Sequence, residues 1–273
     1  MLDIDLKKDI EEFDLIFIDV ETTGLNPKEA DKICEIAALK VKKREVIDTF
    51  YSLINPQKRM PSCAYFVHKI SDEELASAPI FEKIAKSFID FIKDGVICAY
   101  NADFDIGFIN HQLREASFIE IDFPVIDILN MARKIVKLSS YKLKNVANFF
   151  NISFLRLHRS LDDARIAERI FFKLVDILKE KNLNQLGQYL SIFGASGFYK
   201  ERQHYKINTL REAILKKNDL VVDYFSYNRG LEKKLIKPIS LIKEKENLYL
   251  WYKDNKQSAK HINIDCILEI HLV

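Results

Sequence analysis

The segment from Phe13 to Val20 constrains the fold of this 273-residue chain more than any other. It is a short, almost unbroken run of apolar, β-forming residues, which is typical of a strand buried on both faces. Two acids, Asp19 and Glu21, stand where this run ends. Because side chains alternate along a strand, residues two apart share a face, so both carboxylates are expected on one side. Open α/β sheets bind ligands at the carboxyl ends of their strands, and this strand delivers both acids to that edge.

The segments that follow predict an α/β domain with a mixed central sheet. A tight turn is expected at Lys43 and Arg44, and Ser71-Asp-Glu-Glu74 has the pattern of a helix capping box. Apolar periodicity predicts strands at 32–42, 45–54 and 96–100 and helices at 81–92, 104–115, 141–150 and 161–178. Strands followed by helices that alternate with a further strand are typical of the α/β class.

A change of composition near residue 180 predicts a second, smaller domain. Polar residues at 179–182 and the breaker cluster Gly194-Ala-Ser-Gly197 favour a linker at 181–205, between domains at 1–180 and 206–273. Beyond the linker we expect a short amphipathic helix at 210–215, followed by β-strands separated by polar turns. The predicted strands are 220–227, 235–242, 248–252 and 262–272. This pattern favours a small barrel or sandwich.

Composition excludes several classes of protein. Met1 to Asp14 is acidic and amphipathic rather than a signal peptide, and no run approaches the ~18 apolar residues that cross a bilayer. The four cysteines lack CxxC spacing, so we expect reduced core thiols in a cytoplasmic protein that does not associate with membranes. Net charge is only +2, but residues 206–273 carry 13 Lys and Arg against 9 Asp and Glu. The remainder is therefore slightly acidic, which suits divalent metals, whereas the basic part suits phosphates.

Three motifs occur in order along the larger part of the chain. They are Phe17-Ile-Asp-Val-Glu-Thr-Thr-Gly-Leu25, Tyr100-Asn-Ala-Asp-Phe-Asp105 and His158-Arg-Ser-Leu-Asp-Asp-Ala164. In order and spacing they resemble the motifs of the DEDDh (DnaQ-like) 3′→5′ exonuclease family, which includes the proofreading epsilon subunits of bacterial polymerases. Val67-His-Lys-Ile-Ser71, Ile126-Asp-Ile-Leu129 and Ser140-Tyr-Lys-Leu143 resemble connecting segments of the family. The resemblance covers residues 13–178 and implies a ribonuclease H-like mixed sheet flanked by helices.

The resemblance also implies a role for each motif position. The family's metal ligands fall on Asp19, Glu21, Asp105 and Asp163, with Asp19 bridging two ions. Its general base falls on His158. The positions that contact the substrate fall on Thr22, Thr23, Leu25, Asn101 and Phe104. Asp103 and Asp162 are expected to be solvated, Asp127 to stabilise local backbone, and His68 to be structural.

The chemistry of phosphodiester hydrolysis agrees with these residue types. Two metal ions neutralise the charged phosphodiester, activate water and stabilise the departing oxygen. All-oxygen ligation favours two Mg²⁺ or Mn²⁺ ions over zinc. A histidine with a pKa near 6.5 accepts a proton from water at neutral pH.

Residues 206–273 contain a second set of motifs, namely Val222-Asp-Tyr224, Lys237-Pro-Ile-Ser-Leu241, Leu248-Tyr-Leu250 and Ile262-Asn-Ile-Asp-Cys-Ile267. They resemble a WYL domain, a small Sm-like β-barrel that usually serves as a regulatory or nucleic-acid-binding module. Aromatic and basic residues that could stack on bases and meet phosphates are Tyr249, Trp251, Lys253, Lys256 and Lys260. The alternative is that the alternating aromatics fill the barrel core.

A pentapeptide in the predicted linker, Tyr189-Leu-Ser-Ile-Phe193, loosely resembles the segment with which bacterial replication proteins dock on a sliding clamp. It lacks the usual leading glutamine. We therefore favour an amphipathic segment that packs between the domains.

The resemblance predicts a metal-dependent 3′→5′ exonuclease that releases nucleoside 5′-monophosphates from nucleic acid, with single-stranded DNA 3′ ends as the favoured substrate. A polymerase or sliding clamp is the candidate partner. One alternative is an exoribonuclease that trims RNA 3′ ends. Another is a catalytically silent nucleic-acid-binding regulator, against which the five filled catalytic positions count.

Overall fold

The computed structural model describes residues 5–195, 197–245, 247–254 and 258–273. The chain divides into two compact units. Unit 1 comprises residues 11–174, and unit 2 comprises residues 175–273 together with residues 5–10. Among the described helices, none is long and apolar enough to cross a membrane.

Unit 1 is an α/β structure built on a five-stranded mixed sheet in the order β3-β2-β1-β4-β5. Its strands are β1 (Leu15–Thr22), β2 (Ile33–Lys42), β3 (Glu45–Leu53), β4 (Val96–Ala99) and β5 (Val125–Asp127). Its helices are α1 (Ser62–His68), α2 (Asp72–Ala76), α3 (Phe81–Ile92), α4 (Ala102–Glu115), α5 (Ile128–Ile135), α6 (Leu143–Phe149) and most of α7 (Ser160–Lys179). The predicted α/β class and mixed sheet are confirmed.

Strand β1 occupies the centre of this sheet because it is apolar on both faces. It pairs antiparallel with β2 and parallel with β4. Phe17 is fully buried, and its ring centroid lies 5.3 Å from that of Phe171 on α7. The two-residue turn that joins β2 to β3 has positive φ at Lys43 (50°) and Arg44 (69°), as a tight hairpin requires. The buried centre fixes the position of β1, and with it the two acids near its end.

Unit 2 contains a five-stranded antiparallel sheet in the order β10-β6-β7-β8-β9. Its strands are β6 (Leu220–Ser226), β7 (Gly230–Glu244), β8 (Asn247–Lys253), β9 (Ala259–Asn263) and β10 (Ile267–Leu272). Its helices are α8 (Leu186–Phe193), α9 (Gly197–Lys216) and the last turns of α7. The core of the unit includes Leu210, Leu220, Ile236, Leu250 and Ile264.

Unit 2 differs from its prediction in three respects. Helix α9 extends well beyond the predicted 210–215. The predicted strand 262–272 is divided by a 3-10 turn at Ile264–Cys266, where the Asn263 side chain accepts a hydrogen bond from the Asp265 N–H. The edge strands β9 and β10 do not pair with each other within the described residues, so the sheet is not a closed barrel.

The structure also differs from the predicted linker at 181–205. That segment includes α8 and the start of α9, both of which belong to unit 2. Apolar side chains at helical spacing, Leu186, Tyr189, Leu190 and Phe193, are buried there. The pentapeptide 189–193 therefore has its apolar side chains packed inside unit 2, where they cannot dock on a clamp. Ser196, part of the breaker cluster, lies outside the described residues.

Residues 5–10 complete unit 2 from the other end of the chain. The Ile10 N–H donates to the Asn184 carbonyl at 2.8 Å, and the Gly187 N–H donates to the Leu6 carbonyl at 2.8 Å. A Cβ at Gly187 would lie 3.0 Å from that same carbonyl oxygen, so this close approach favours glycine. The short N-terminal segment is therefore an integral part of the smaller unit.

Candidate active site

Three elements of unit 1 bring the four predicted metal ligands together. Strand β1 carries Asp19 and Glu21, α4 carries Asp105, and the first turn of α7 carries Asp163. The Val20 N–H donates to Asp105 Oδ1 at 3.0 Å, which joins α4 to the carboxyl end of β1. Each carboxylate interacts electrostatically with at least one of the others. The sheet edge therefore carries one compact acidic cluster.

Burial, together with repulsion from neighbouring acids, raises the pKa values of all four carboxyl groups. The pKa of Asp19 is raised well above its ordinary value, first by burial and then by the charges of Asp105, Glu21 and Asp163. Burial raises the pKa of Glu21 to about 8, with the Asp163 charge adding to the effect. Burial likewise raises the pKa of Asp105 to about 8 and that of Asp163 to about 6. Protein groups therefore neutralise little of the negative charge that the ionised cluster carries, and bound cations would neutralise it.

The donor atoms of the cluster fit hard divalent metal ions. Asp163 Oδ1 is buried and has no hydrogen-bond partner among the described residues. Glu21, His158 and Asp163 each offer one potential ligand atom, and these atoms lie within 4.8 Å of one another. Carboxylate oxygen dominates the set, and carboxylates are the usual protein ligands of Mg²⁺ and Mn²⁺. The prediction that this edge of the sheet binds divalent metal is thus consistent with the geometry.

His158 stands beside the cluster on the loop that precedes α7. Its backbone is left-handed (φ 62°), and its N–H donates to Asp163 Oδ2 at 3.1 Å. The side chain is exposed, so substrate and water can reach it. Partial burial lowers its pKa, so the imidazole is neutral and able to accept a proton at pH 7.

A buried carboxylate that was not predicted from the sequence, Glu35 on β2, fixes this loop. Glu35 is fully buried and accepts hydrogen bonds from Arg159 Nε at 2.8 Å and Nη2 at 2.5 Å. It also accepts from the Tyr51 hydroxyl and the Ser160 N–H, each at 2.7 Å. Burial alone would raise its pKa, but the bonds from Arg159, Tyr51 and Ser160 hold the pKa of Glu35 below its ordinary value.

Glu35 therefore holds the two residues that directly follow His158. A signal for it was present in the sequence, because an acid inside the apolar run Ile33-Cys-Glu-Ile-Ala-Ala-Leu39 is rarely buried unless it is paired. We regard Glu35 as a positioning residue for the histidine loop.

The two threonines predicted to contact substrate form hydrogen bonds within their own turn. Thr22 Oγ1 donates to the Gly24 carbonyl at 2.5 Å. Thr23 is 1% exposed, and its hydroxyl accepts from the Lys32 N–H at 3.0 Å. Both hydroxyl groups thus bond within the turn, and the contact of these residues with substrate stays a prediction. Leu25, by contrast, is 84% exposed and available to a ligand.

The other two predicted substrate residues lie at the start of α4. Asn101 is exposed and left-handed (φ 76°), and its N–H donates to Asp127 Oδ1 at 3.3 Å. Phe104 is half-buried, with its ring 5.0 Å from that of Phe108. Asp127 also caps α5 by accepting from the Leu129 and Asn130 N–H groups, which is the backbone role expected of it.

Two acids neighbour the predicted ligands. Asp103 is exposed, as expected, whereas Asp162 is half-buried and pairs with Arg156 at 2.5 Å instead of being fully solvated. His68 is buried, as a structural histidine should be.

The two aromatic residues predicted as accessory contacts in unit 2 share one face of its sheet. Tyr249 and Trp251 are half-buried, and their rings lie 5.3 and 5.2 Å from that of His261 on β9. The intervening residues, Leu250 and Tyr252, belong to the core. Strand alternation therefore places an aromatic strip, Tyr249-Trp251-His261, on the outer face.

The three predicted lysines of unit 2 differ in their availability. Lys253 is exposed at the end of β8. Lys260 forms an ion pair with Asp254, which partly neutralises it. Lys256 lies outside the described residues.

The fold and the acidic cluster define the class of the protein as an α/β protein with a carboxylate site for divalent cations. The Exonuclease (RNase_T) family matches residues 16–171, which is more than half of the chain. The chain therefore belongs to this family of exonucleases, and the prediction of a DnaQ-like 3′→5′ exonuclease is confirmed at the level of the family.

Curated relatives connect the chain with DNA polymerase III. The epsilon subunit from Rickettsia felis is 36% identical over 185 residues, which cover 61% of this chain and 80% of the relative. The PolC-type DNA polymerase III from Thermotoga maritima is 31% identical over 173 residues, which cover 63% of this chain. The match spans only 13% of that relative's length.

Solved structures confirm the ribonuclease H-like exonuclease fold. The nuclease domain of 3′hExo, a DEDDh family member bound to rAMP, has a TM-score of 0.54 and 20% identity. The comparison covers 60% of this chain and 92% of the 3′hExo domain. Exonuclease I of E. coli, in its zinc-bound complex with single-stranded DNA, has a TM-score of 0.61 and 15% identity. That comparison covers 95% of this chain and 64% of exonuclease I.

Proposed function

We propose that the chain is itself an active 3′→5′ exonuclease that degrades DNA from its 3′ end and releases nucleoside 5′-monophosphates. The observation that carries this proposal is the buried cluster of four carboxylates at one sheet edge, with His158 beside it. DNA is favoured over RNA as the substrate because the relatives that match the chain include DNA polymerase III subunits.

The catalytic roles that we propose follow from this geometry. Asp19, Glu21, Asp105 and Asp163 would hold two divalent ions, Mg²⁺ or Mn²⁺. Bound ions of this kind neutralise the phosphodiester, lower the pKa of water and stabilise the departing oxygen. His158 would accept the proton of the attacking water. Leu25, which is highly exposed at the end of the β1 turn, would pack against the terminal nucleotide.

We propose that unit 2 is an open relative of the small, Sm-like β-barrel of WYL domains, with β9 and β10 not paired with each other within the described residues, and that helix α9 precedes it. Strand β7 supports this interpretation because its first half pairs with β6 and its second half with β8. A register shift between Pro238 and Ser240 lies just after this change of partner, and such irregularities bend a strand, as a barrel-like sheet requires.

We further propose that the aromatic strip on unit 2 holds single-stranded DNA without regard to sequence. Aromatic side chains stack on any base, and Lys253 adds positive charge nearby. The similarity to exonuclease I in its single-stranded DNA complex, over 95% of this chain, supports this role. A polymerase is the proposed protein partner, on the strength of the polymerase III relatives, and the cytoplasm is the proposed location.

The activity can be tested with a single-stranded DNA, a recessed duplex and an RNA of the same sequence, each labelled at the 5′ end. In Mg²⁺ we expect a ladder of shortened DNA that retains the label, with 5′-monophosphates as products and no reaction in EDTA. Asp105→Asn serves as the inactive control. An absence of degradation in both Mg²⁺ and Mn²⁺ would leave the silent regulator as the better interpretation.

One observation supports the main alternative, an exoribonuclease, namely the similarity to 3′hExo bound to rAMP. Faster cleavage of the RNA than of the matched DNA would select it.

The role of the aromatic strip can be tested with Trp251→Ala and with Tyr205→Ala, a control at a 73% exposed aromatic of the same unit. We expect Trp251→Ala to weaken the binding of long single strands, by about 1–3 kcal/mol if the ring stacks on one base. Tyr205→Ala should bind like wild type. If the wild type and both variants bind long single strands with equal affinity, the aromatic strip binds a different partner.

A further inference from the structure

Helix α1 exposes two neighbouring aromatic side chains. Phe66 is 70% exposed and Tyr65 is 40% exposed, whereas Ala64 and His68 of the same helix are buried. The ring centroids of Tyr65 and Phe66 lie 6.2 Å apart at an interplanar angle of 61°. Single exposed apolar residues are common, but two adjacent aromatics on one short helix expose a larger apolar surface.

A lysine completes this exposed cluster. Lys69 ends α1 in a left-handed conformation (φ 60°), and its N–H donates to the Tyr65 carbonyl. Its Nζ lies 4.9 Å from the ring centroid of Phe66 and 5.6 Å from that of Tyr65. A cation over an aromatic face is attracted to the ring and restrains both partners. We call Tyr65, Phe66 and Lys69 the α1 platform.

The α1 platform is joined to the carboxylate edge of the sheet through His68. The Ile70 N–H donates to His68 Nδ1 at 3.0 Å, so Nε2 carries the proton of the neutral ring. The ring also bonds to the backbone of Thr22, which directly follows Glu21, and it interacts electrostatically with His158. Because His68 is buried, these contacts hold the end of α1 against the end of β1.

We propose that the α1 platform is a nucleobase-binding subsite for the substrate strand, upstream of its terminal nucleotide. This inference rests on the proposed function. When the terminal phosphodiester lies at the carboxylates, the rest of the strand must leave along a neighbouring surface. Exposed aromatic faces stack on any base, and the Lys69 ammonium attracts the phosphates between bases. The metal cluster binds the scissile group, whereas the α1 platform binds the bases that follow.

The decisive variant is Phe66→Ala, with Lys69→Gln as a second change at the α1 platform. Phe149→Ala is the matched control, because Phe149 is a 48% exposed aromatic on α6 of the same unit. Circular dichroism establishes that each variant is folded. The substrates are thymidine 5′-monophosphate p-nitrophenyl ester, which has no upstream base, and single-stranded oligonucleotides with one abasic site at successive upstream positions.

We expect Phe66→Ala to cleave the small ester at the wild-type rate but to raise KM for intact oligonucleotides by about 5-fold or more. That change corresponds to the lower end of base–aromatic stacking, about 1 kcal/mol. Lys69→Gln should raise KM in the same direction, and Phe149→Ala should not. An abasic site at the contacted position should raise KM for the wild type and have no further effect on Phe66→Ala.

The outcomes separate this inference from the proposed function. If the wild type cleaves neither the ester nor the oligonucleotides, the exonuclease activity itself is wrong. If it cleaves both, but Phe66→Ala keeps the wild-type KM or the same abasic penalty, the subsite is wrong. The exposed aromatics would then serve a protein partner.

Discussion

Replacing Arg159 with methionine should destabilise unit 1 because it leaves a buried carboxylate without its cation. Glu35 is fully buried, and Arg159 supplies two of its four hydrogen bonds. Removing one partner of a buried ion pair typically costs about 3–5 kcal/mol. The Arg159 side chain is 20% exposed, so water can replace part of the interaction, and we expect a loss of about 2–3 kcal/mol. For a domain of this size, that loss lowers the melting temperature by roughly 5–10 °C.

The stability lost in Arg159→Met should depend on pH, and the protonation of Glu35 sets the direction of that dependence. In the wild type the pKa of Glu35 is lowered, so its stabilisation is present above its unfolded pKa. That stabilisation is lost as pH falls through the lower, folded pKa. Without Arg159, burial dominates and raises the Glu35 pKa. The variant should therefore be least stable relative to wild type at pH 7–8. The difference in the free energy of unfolding should become smaller toward pH 5, because Glu35 of the variant is protonated there.

Melting temperatures followed by far-ultraviolet circular dichroism in EDTA, at pH 7.5 and pH 5, test this reasoning. Glu35→Gln and the double variant complete a double-mutant cycle. The double variant should be more stable than Arg159→Met alone, because no unpaired charge remains. The reasoning is refuted if Arg159→Met has the same melting temperature as the wild type at pH 7.5. It is also refuted if the variant's melting temperature is lowered by the same amount at both pH values.

The remaining predictions concern the carboxylate cluster and its base. Asp105→Asn should lower turnover by several orders of magnitude. It should also raise the melting temperature of the metal-free protein, because the amide oxygen can still accept from Val20 and folding no longer buries an acid whose pKa it raises to about 8. Turnover above about a tenth of wild type would reject Asp105 as a ligand. His158→Ala should lower turnover by about 10²–10⁴-fold. The wild-type rate should rise with a midpoint below pH 6.5, since partial burial lowers the His158 pKa, and an unchanged profile in the variant would exclude His158 as the base. Mg²⁺ binding at pH 7 should release protons, because it ionises Glu21 and Asp105, whose pKa values are raised to about 8. Calorimetric titrations in two buffers of different ionisation enthalpy measure that release, and equal heats would contradict it.

Much of unit 1 could be predicted because its signals are local. The apolar run before Asp19 predicted the central strand, and two-residue alternation predicted that Asp19 and Glu21 share a face. The capping box at Ser71 is present, with both of its reciprocal hydrogen bonds. These features depend on residues within one or two turns or on one strand, which a sequence pattern contains in full.

Features held by distant residues could not be predicted in the same way. Helices α1 and α5 have only seven and eight residues, too few for a clear apolar period, and tertiary contacts maintain them. Helix α8 was interpreted as a linker because polar residues and a breaker cluster flank it, yet its apolar face packs inside unit 2. The partners of Glu35 lie 16 and about 125 residues away, so no local pattern connects them.

The N-terminal segment 5–10 gives the protein an unusual order of assembly. Unit 1 is an insertion within unit 2, because residues on both sides of it belong to the smaller unit. During synthesis the first segment leaves the ribosome long before its partners around Asn184 and Gly187 exist. At about 5–20 residues per second, it waits roughly 10–35 s for them. The larger unit can therefore fold while the smaller one is incomplete, and the smaller unit closes only when segment 5–10 meets its partners at Asn184 and Gly187.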